Sequence, residues 1–273
     1  MRIVLVSQVP QAVEGLAPFL SAAGHEPVAL LCSREHAGRY GNAFDLLVRD
    51  APPELDIVIP SRREGIAPLL RRYEPDVFIC VGFPWKIPPA ALDVPRLAAI
   101  NGHPSLLPRY RGPSPVSWAI RNGEKEIGYT WHRMDAELDT GPILAQGSMT
   151  LEDEHSWEEL EPKLVPVVVE LLTDALERVE AGDPGDPQEP GAGDYFPFFG
   201  DDYAWIDPSS SRDEIYRQVK AWRFASATEG LRGALADLDG ETVRVLRTSF
   251  APTDGRALEC RDGTLWIVDS EAA

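Results

Sequence analysis

Residues 2–32 read RIVLVSQVPQAVEGLAPFLSAAGHEPVALLC, and this opening decides the fold. Residues 2–7 form a short run rich in β-branched side chains, the signature of a buried strand. Val13, Leu16, Phe19, Leu20 and Ala23 follow at helical spacing, and Gly24 is placed to end that helix. Residues 27–32 are apolar and short again. Strand, helix and strand in this order predict a βαβ unit, and hence a parallel sheet with helices on its faces.

The same grammar continues outward. Residues 55–59 predict a third strand, and 65–73 a short helix with Ile66, Leu69 and Leu70 on one face. DVFICVG (76–82) is apolar throughout, as a strand covered on both faces must be. Residues 97–101 predict another strand, 114–122 a helix and 127–134 a strand. Residues 160–179 carry an amphipathic helix that Pro166 is expected to kink or delay. The stretch AGDPGDPQEPGAGD (181–194) reads as a linker. Beyond it, 211–224 predicts a helix. Short strands follow at 242–247, 257–260 and 264–268, with Asp-Gly turns at 239–240, 254–255 and 262–263. The expected organisation is a domain over 1–180, a linker over 181–194 and a small domain over 195–273.

Composition narrows the function. The chain has 273 residues and is 44% hydrophobic, enough for a sizeable core. No apolar run reaches the roughly 18 residues of a membrane span, and the N-terminus reads as a strand rather than a signal peptide. Three widely separated cysteines, Cys32, Cys80 and Cys260, make neither a disulfide framework nor a zinc cluster. A reducing cytoplasmic setting is expected. The net charge of −18 is uneven: residues 1–150 hold 15 Lys/Arg against 16 Asp/Glu, and 151–273 hold 11 against 28. Nucleic-acid affinity comes from cations neutralising phosphates, so an acidic second half argues against that role; acidity also simply keeps a protein soluble. The first strand-to-helix turn, SQVPQAVEG, lacks the glycine fingerprint of a dinucleotide site. The sequence also lacks a phosphate loop, an H-E-x-x-H or C-x-x-C metal motif and a G-x-S-x-G elbow. No metal is expected.

Two segments carry the chemistry: NGHPSLLPRYRG (101–112) and GYTWHRMDAELDTGPILAQ (128–146). Asn101 ends an apolar strand, and open α/β sheets bind ligands at such ends. Asn101 and His103, two apart, share a side of an extended chain. An amide that polarises a carbonyl beside an imidazole that moves protons suits acyl transfer. Asp139, before Thr140-Gly141-Pro142, could reach the imidazole. On chemistry alone, Asn-x-His is more often a turn with a satisfied histidine.

N-x-H-x-S-L-L-P-x-x-x-G, followed about 30 residues later by D-x-x-L-D-T-G-P, resembles the signature of folate-dependent formyltransferases. Those that act on methionyl-tRNA, on glycinamide ribonucleotide, and on sugars and amino acids share it. The resemblance covers most of 1–180, including VGFPWKIPPAAL (81–92). Residues 195–268 resemble a shortened form of the small β-domain of the tRNA-modifying branch, beginning at YFPFFGDDYAWID (195–207). The resemblance implies a Rossmann-like catalytic domain with a parallel-rich sheet, then a small, mostly-β, OB-like domain. It implies 10-formyltetrahydrofolate as formyl donor, with Asn101 holding the formyl oxygen, His103 assisting proton transfer and Asp139 positioning the histidine.

The same resemblance implies a folate cleft lined by Phe83, Trp85, Ile87 and Pro88, by Ser105, Leu106, Leu107 and Pro108, and by Asp135, Ala136, Glu137 and Leu138. Phe83 and Trp85 have an alternative as ordinary cleft-covering aromatics. Arg109 and Arg111 read as loop or phosphate-end contacts or, equally, as solvated charges, Thr140 and Gly141 as shapers of the loop, and His132 as a satisfied interior histidine.

Two departures from the tRNA-modifying pattern stand out. The stretch CSREHAGRYGNAFDLLVRD (32–50) has no lysine where that branch carries a basic loop, and the C-terminal part is acidic and short. The expected acceptor is therefore a small-molecule amine, an amino sugar or amino-acid derivative, rather than nucleic acid. Methionyl-tRNA is the alternative. The acidic C-terminal part would serve homodimerisation or cover the acceptor cleft. A formyl-folate hydrolase shares the same three groups; in this family it carries an extra N-terminal domain, and this chain opens at its first strand. An intact Asn-His-Asp set argues against a binding protein without turnover.

Overall fold

The computed structural model describes residues 1–34, 43–152, 156–189, 191–225, 233–238 and 240–273. In chain order the elements are β1 (Arg2–Ser7), α1 (Pro10–Ala22), β2 (Glu26–Leu31), α2 (Ala43–Asp50), β3 (Asp56–Val58), α3 (Ile66–Leu70), β4 (Val77–Val81), α4 (Pro89–Leu92), β5 (Ala98–His103), α5 (Pro115–Arg121), β6 (Glu126–Arg133), β7 (Ile143–Thr150), α6 (Trp157–Glu180), α7 (Arg212–Phe224), β8 (Ala234–Leu238), β9 (Glu241–Ser249), β10 (Arg256–Cys260) and β11 (Gly263–Ala272). They divide into two compact units. One holds residues 1–111, 128–148 and 165–194; the other holds 112–127, 149–164 and 195–273.

The larger unit is built on a sheet in the order β3-β2-β1-β4-β5-β6-β7. The βαβ opening forms as read. Pro10 sits in the first turn of α1, where its missing N–H costs nothing, and Gly24 takes the left-handed φ of 83° that closes the helix. β1 pairs in parallel with β2 and β4, and β4 with β5. Val4, Val6, Phe78 and Cys80 are buried among Ile66, Leu70 and Ala91, and the alternate residues Ile3, Leu5, Val77 and Ile79 are buried too, so burial on both faces explains the unbroken apolar runs of β1 and β4. The sheet then reverses, because β6 runs antiparallel to β5.

Helix α6 runs from Trp157 through Pro166, so its start is not delayed to that proline. β7 was not foreseen. Its sequence, ILAQGSMT, breaks alternation at Gly147, where an added Cβ would lie 3.4 Å from Leu171; the glycine marks close packing against the helix. Residues 181–194 are fastened to the larger unit. Asp186 exchanges backbone hydrogen bonds with Ile143, 2.8 Å each way.

The smaller unit carries an antiparallel sheet in the order β10-β11-β9-β8, its core formed by Ile215, Val219, Ala234, Val245 and Leu265. Ser211 and Glu214 close a capping box at the start of α7, an arrangement worth about 1 kcal/mol. The turns at 254–255 and 262–263 join β9 to β10 and β10 to β11. Asp239 of the third expected turn, and residues 35–42 of the lysine-free stretch, lie outside the described residues. Among the described residues, no helix is long and apolar enough to cross a membrane.

Candidate active site

β5 and β6 place the central groups by register alone. Asn101 lies opposite His132, and His103 opposite Thr130, while Cys80 flanks Asn101 from β4. Asn101 and His103 alternate onto one face, as their spacing predicted, and the pairing carries His132 to the same face. Asp139 arrives on the loop between β6 and β7.

The hydrogen bonds fix protons that sequence could not. His103 Nε2 lies 2.9 Å from the Tyr110 carbonyl. A carbonyl accepts, so Nε2 carries hydrogen and Nδ1 of the neutral ring is bare. That Nδ1 faces Asp139 Oδ1 at 3.7 Å. His132 Nδ1 lies 2.8 Å from the Arg133 carbonyl, so its Nε2 is bare by the same reasoning. This nitrogen accepts from Asn101 Nδ2 at 3.1 Å and lies 3.6 Å from the same Asp139 Oδ1. The lone pair of His103 Nδ1 thus faces a carboxylate oxygen that also approaches His132 Nε2, whose own lone pair takes the Asn101 hydrogen. Asn101 is oriented with its NH₂ toward His132, which leaves its second N–H for a ligand oxygen.

Burial is deep here. His103 is 5% exposed and His132 2%. Desolvation lowers the His103 pKa below its ordinary 6.5; Asp139 and the Tyr110 carbonyl oppose that shift and His132 adds to it. Its neutral, base-competent form therefore persists at neutral pH. Burial pushes the Cys80 thiol up to about 12, which makes it a poor nucleophile.

The lowered His103 pKa has a consequence for stability. Between the folded pKa and about 6.5 the unfolded chain binds more protons than the native one, so stability is present above that window and is lost as pH falls through it. His103→Gln is expected to flatten this part of a plot of urea midpoint against pH. An unchanged slope would exclude His103 as its source.

The loop bearing Asp139 is shaped by its neighbours. Thr140 Oγ1 and the Glu137 N–H donate to the Asp135 carboxylate. At Gly141 an added Cβ would lie 1.9 Å from the Arg133 carbonyl, so only glycine fits. Asp139 itself has φ 58°, the left-handed region that few non-glycine residues occupy.

The residues expected to line a folate cleft divide by burial. Ile87, Ser105 and Leu107 are buried in the fold. Ser105 Oγ donates to the Arg109 carbonyl, and Leu107 is bracketed by Thr130 and Gln146. Phe83, Trp85, Pro88, Leu106 and Pro108 are half-buried, and Asp135, Ala136, Glu137 and Leu138 are exposed. Phe83 and Trp85 meet edge to face at 5.8 Å. Lys86 and Glu137 form a 3.5 Å ion pair that joins the 83–88 loop to the 135–139 loop; at this exposure it contributes little. The Phe83–Trp85 pair offers partly exposed aromatic surface, which suits contact with a flat heterocycle. Among the described residues, no group of three or more His, Cys, Asp or Glu is placed to hold a metal ion.

Sequence reasoning undervalued His132. It is a satisfied interior histidine, as read, but its partners are Asn101 and Asp139. The missed signal was register: two strands joined through the motif pair must bring 101 opposite a residue near 132.

Comparison with known proteins adds three observations. The family model Formyl transferase matches residues 26–176. The methionyl-tRNA formyltransferase of Pelobacter propionicus is 32% identical over 229 residues, covering 78% of this chain and 69% of that protein. Two solved structures share the fold. HypX from Aquifex aeolicus in complex with tetrahydrofolic acid has a TM-score of 0.66 at 20% identity, covering 99% of this chain but 44% of HypX. A sugar N-formyltransferase from Shewanella sp. has a TM-score of 0.67 at 18% identity, covering 93% of this chain and 99% of that one.

Proposed function

We propose, for a chain that belongs to the folate-dependent formyltransferase family, that it moves a formyl group from 10-formyltetrahydrofolate to the amine of a small metabolite. The observation that carries formyl transfer is the bare His103 Nδ1 facing Asp139 Oδ1, on the strand face that also carries Asn101, whose amide His132 orients. The half-buried Phe83, Trp85, Leu106 and Pro108 would hold the folate, with the exposed backbone of residues 135–138. When bound, the folate supplies a formyl carbon activated for attack. Asn101 Nδ2 then donates its second hydrogen to the formyl oxygen as charge builds there. The attacking amine nitrogen forms its bond to the formyl carbon and loses a proton to His103 Nδ1, and Asp139 Oδ1 accepts from the resulting Nδ1–H. The bond from carbon to the folate nitrogen breaks, and the proton returns to that nitrogen. On this reading 1–180 is the catalytic domain, 181–194 a connector and 195–273 an accessory domain.

The lysine-free 32–50 stretch and the acidic second half support a small acceptor. The acidity is not where an RNA-repelling domain would need it, however. Residues 151–194 hold 14 Asp/Glu against 2 Lys/Arg, while 195–273 hold 14 against 9. Two observations favour methionyl-tRNA as the second reading: the name of the Pelobacter relative, and the exposure of Arg62, Arg63, Arg71 and Arg72 on the turns flanking α3.

The test presents candidate amines and charged initiator tRNA with formyl-folate, at low and physiological salt, read by mass spectrometry. A formylated small amine is expected. Efficient formylation of the tRNA at physiological salt would replace the first reading with the second, because a surface with few cations to neutralise phosphates lacks the affinity to hold a polyanion at that salt.

A further inference from the structure

Residues 181–194 read in sequence as a linker, and the chemistry above uses none of their side chains. One of them nevertheless reaches the backbone of the reaction centre. Gln188 Nε2 donates to the carbonyl of Asp139 at 3.0 Å and to that of Gly141 at 2.8 Å. Its Oε1 accepts from Arg111 Nη2 at 2.8 Å. Carbonyls accept and a guanidinium donates, so the reversed amide would satisfy none of the three.

Both ends of this bridge adjoin strained backbone. Asp139 has φ 58°, and Tyr110, the residue before Arg111, has φ 59°. The Tyr110 carbonyl is the group that orients His103. Non-glycine residues keep such a conformation where their surroundings over-determine it.

We infer that Gln188 is a positioning residue. With Arg111, it ties the backbone that orients His103 to the backbone that carries Asp139, and thereby sets the 3.7 Å approach of His103 Nδ1 to Asp139 Oδ1. Its importance for turnover rests on the proposed reading of that pair as the proton acceptor. Its effect on geometry does not.

Two variants separate position from bulk. Gln188→Leu removes all three hydrogen bonds. Gln188→Glu keeps the shape and the Arg111 contact but turns an acceptor-only carboxylate toward two carbonyls. The first readout is the nitrogen NMR titration of the His103 ring, assigned through His103→Gln. The titratable groups facing that ring are Asp139 and His132, and Asp139 raises its midpoint. If the clamp fails and Asp139 withdraws, the midpoint moves to lower pH, toward that of Asp139→Asn.

Gln188→Leu is expected to show at least half of the Asp139→Asn shift, with a thermal midpoint close to the parent protein; in Gln188→Glu the added negative charge raises the midpoint, so its net downward shift is expected to be smaller than that of Gln188→Leu. A wild-type His103 titration in folded Gln188→Leu overturns the inference. Arg111→Met provides the same test from the other end of the bridge should Gln188→Leu fail to fold. With an acceptor in hand, kcat is expected to fall about 10–100-fold at nearly constant KM, and Gln188→Leu to add little to Asp139→Asn. Fully additive losses would count against it. If no amine is ever formylated, the proposed function fails while the titration result still decides the clamp.

Discussion

Replacing Asn101 or His103 by alanine is expected to lower formyl transfer by roughly 10²–10³-fold, the usual cost of one preorganised donor or proton-transfer group. Asn101 is the sharper case, because His132 holds its amide in place. Nε2 of that ring takes one Asn101 hydrogen, so the other is aimed without a reorganisation step at the moment charge develops. Asn101→Ala would also leave His132 Nε2 buried without its donor, which costs about 1–3 kcal/mol of stability. Asn101→Asp provides a control: its volume is nearly unchanged, but an acceptor replaces the donor beside Asp139. Single-turnover transfer, measured with circular dichroism to confirm folding, distinguishes the cases. Near-native rates in both alanine variants would remove these residues from the chemistry.

How much of this was legible in the sequence follows from the range of each signal. The βαβ opening was legible because two short apolar runs bracket a stretch of 3.6 period within 31 residues. The buried strand 77–81 was legible because a strand covered on both faces has no polar position to confuse the pattern. β7 was not, since Gly147 serves a helix that passes over it, a contact made at long range. Asn101 and His103 could be paired from spacing alone. The place of Asp139 before a tight loop suggested its reach and the resemblance gave its role, while its approach to both histidines comes from pairing across β5 and β6. Gln188 was hidden for a different reason. Its neighbours are glycine, proline and acids that cannot form a core, and composition says nothing about a single amide that satisfies loop carbonyls elsewhere. Proton placement lay beyond sequence as well, because each tautomer is dictated by a backbone carbonyl, Tyr110 for His103 and Arg133 for His132.

Asp139→Asn is expected to have the largest effect of any single conservative change, a loss of about 10²–10⁴-fold in kcat/KM. Its backbone should survive: asparagine tolerates the left-handed φ of 58°, and Gln188 grips the carbonyl of this residue rather than its side chain. The carboxylate, however, faces the bare His103 Nδ1 and lies 3.6 Å from His132 Nε2. An amide can turn its NH₂ toward His103 Nδ1 and occupy the lone pair that must accept the amine proton. The charge that would stabilise the imidazolium also disappears. The sign of the pH effect follows. Burial already places the His103 pKa below 6.5, and Asp139 is the strongest influence opposing that shift. Without the carboxylate the pKa falls further, so whatever activity remains should keep its plateau to lower pH than in the parent enzyme. The acid limb of kcat/KM therefore moves down in pH as the plateau drops in height. A variant with wild-type height, or with an acid limb moved toward higher pH, would mean that Asp139 does not act through His103.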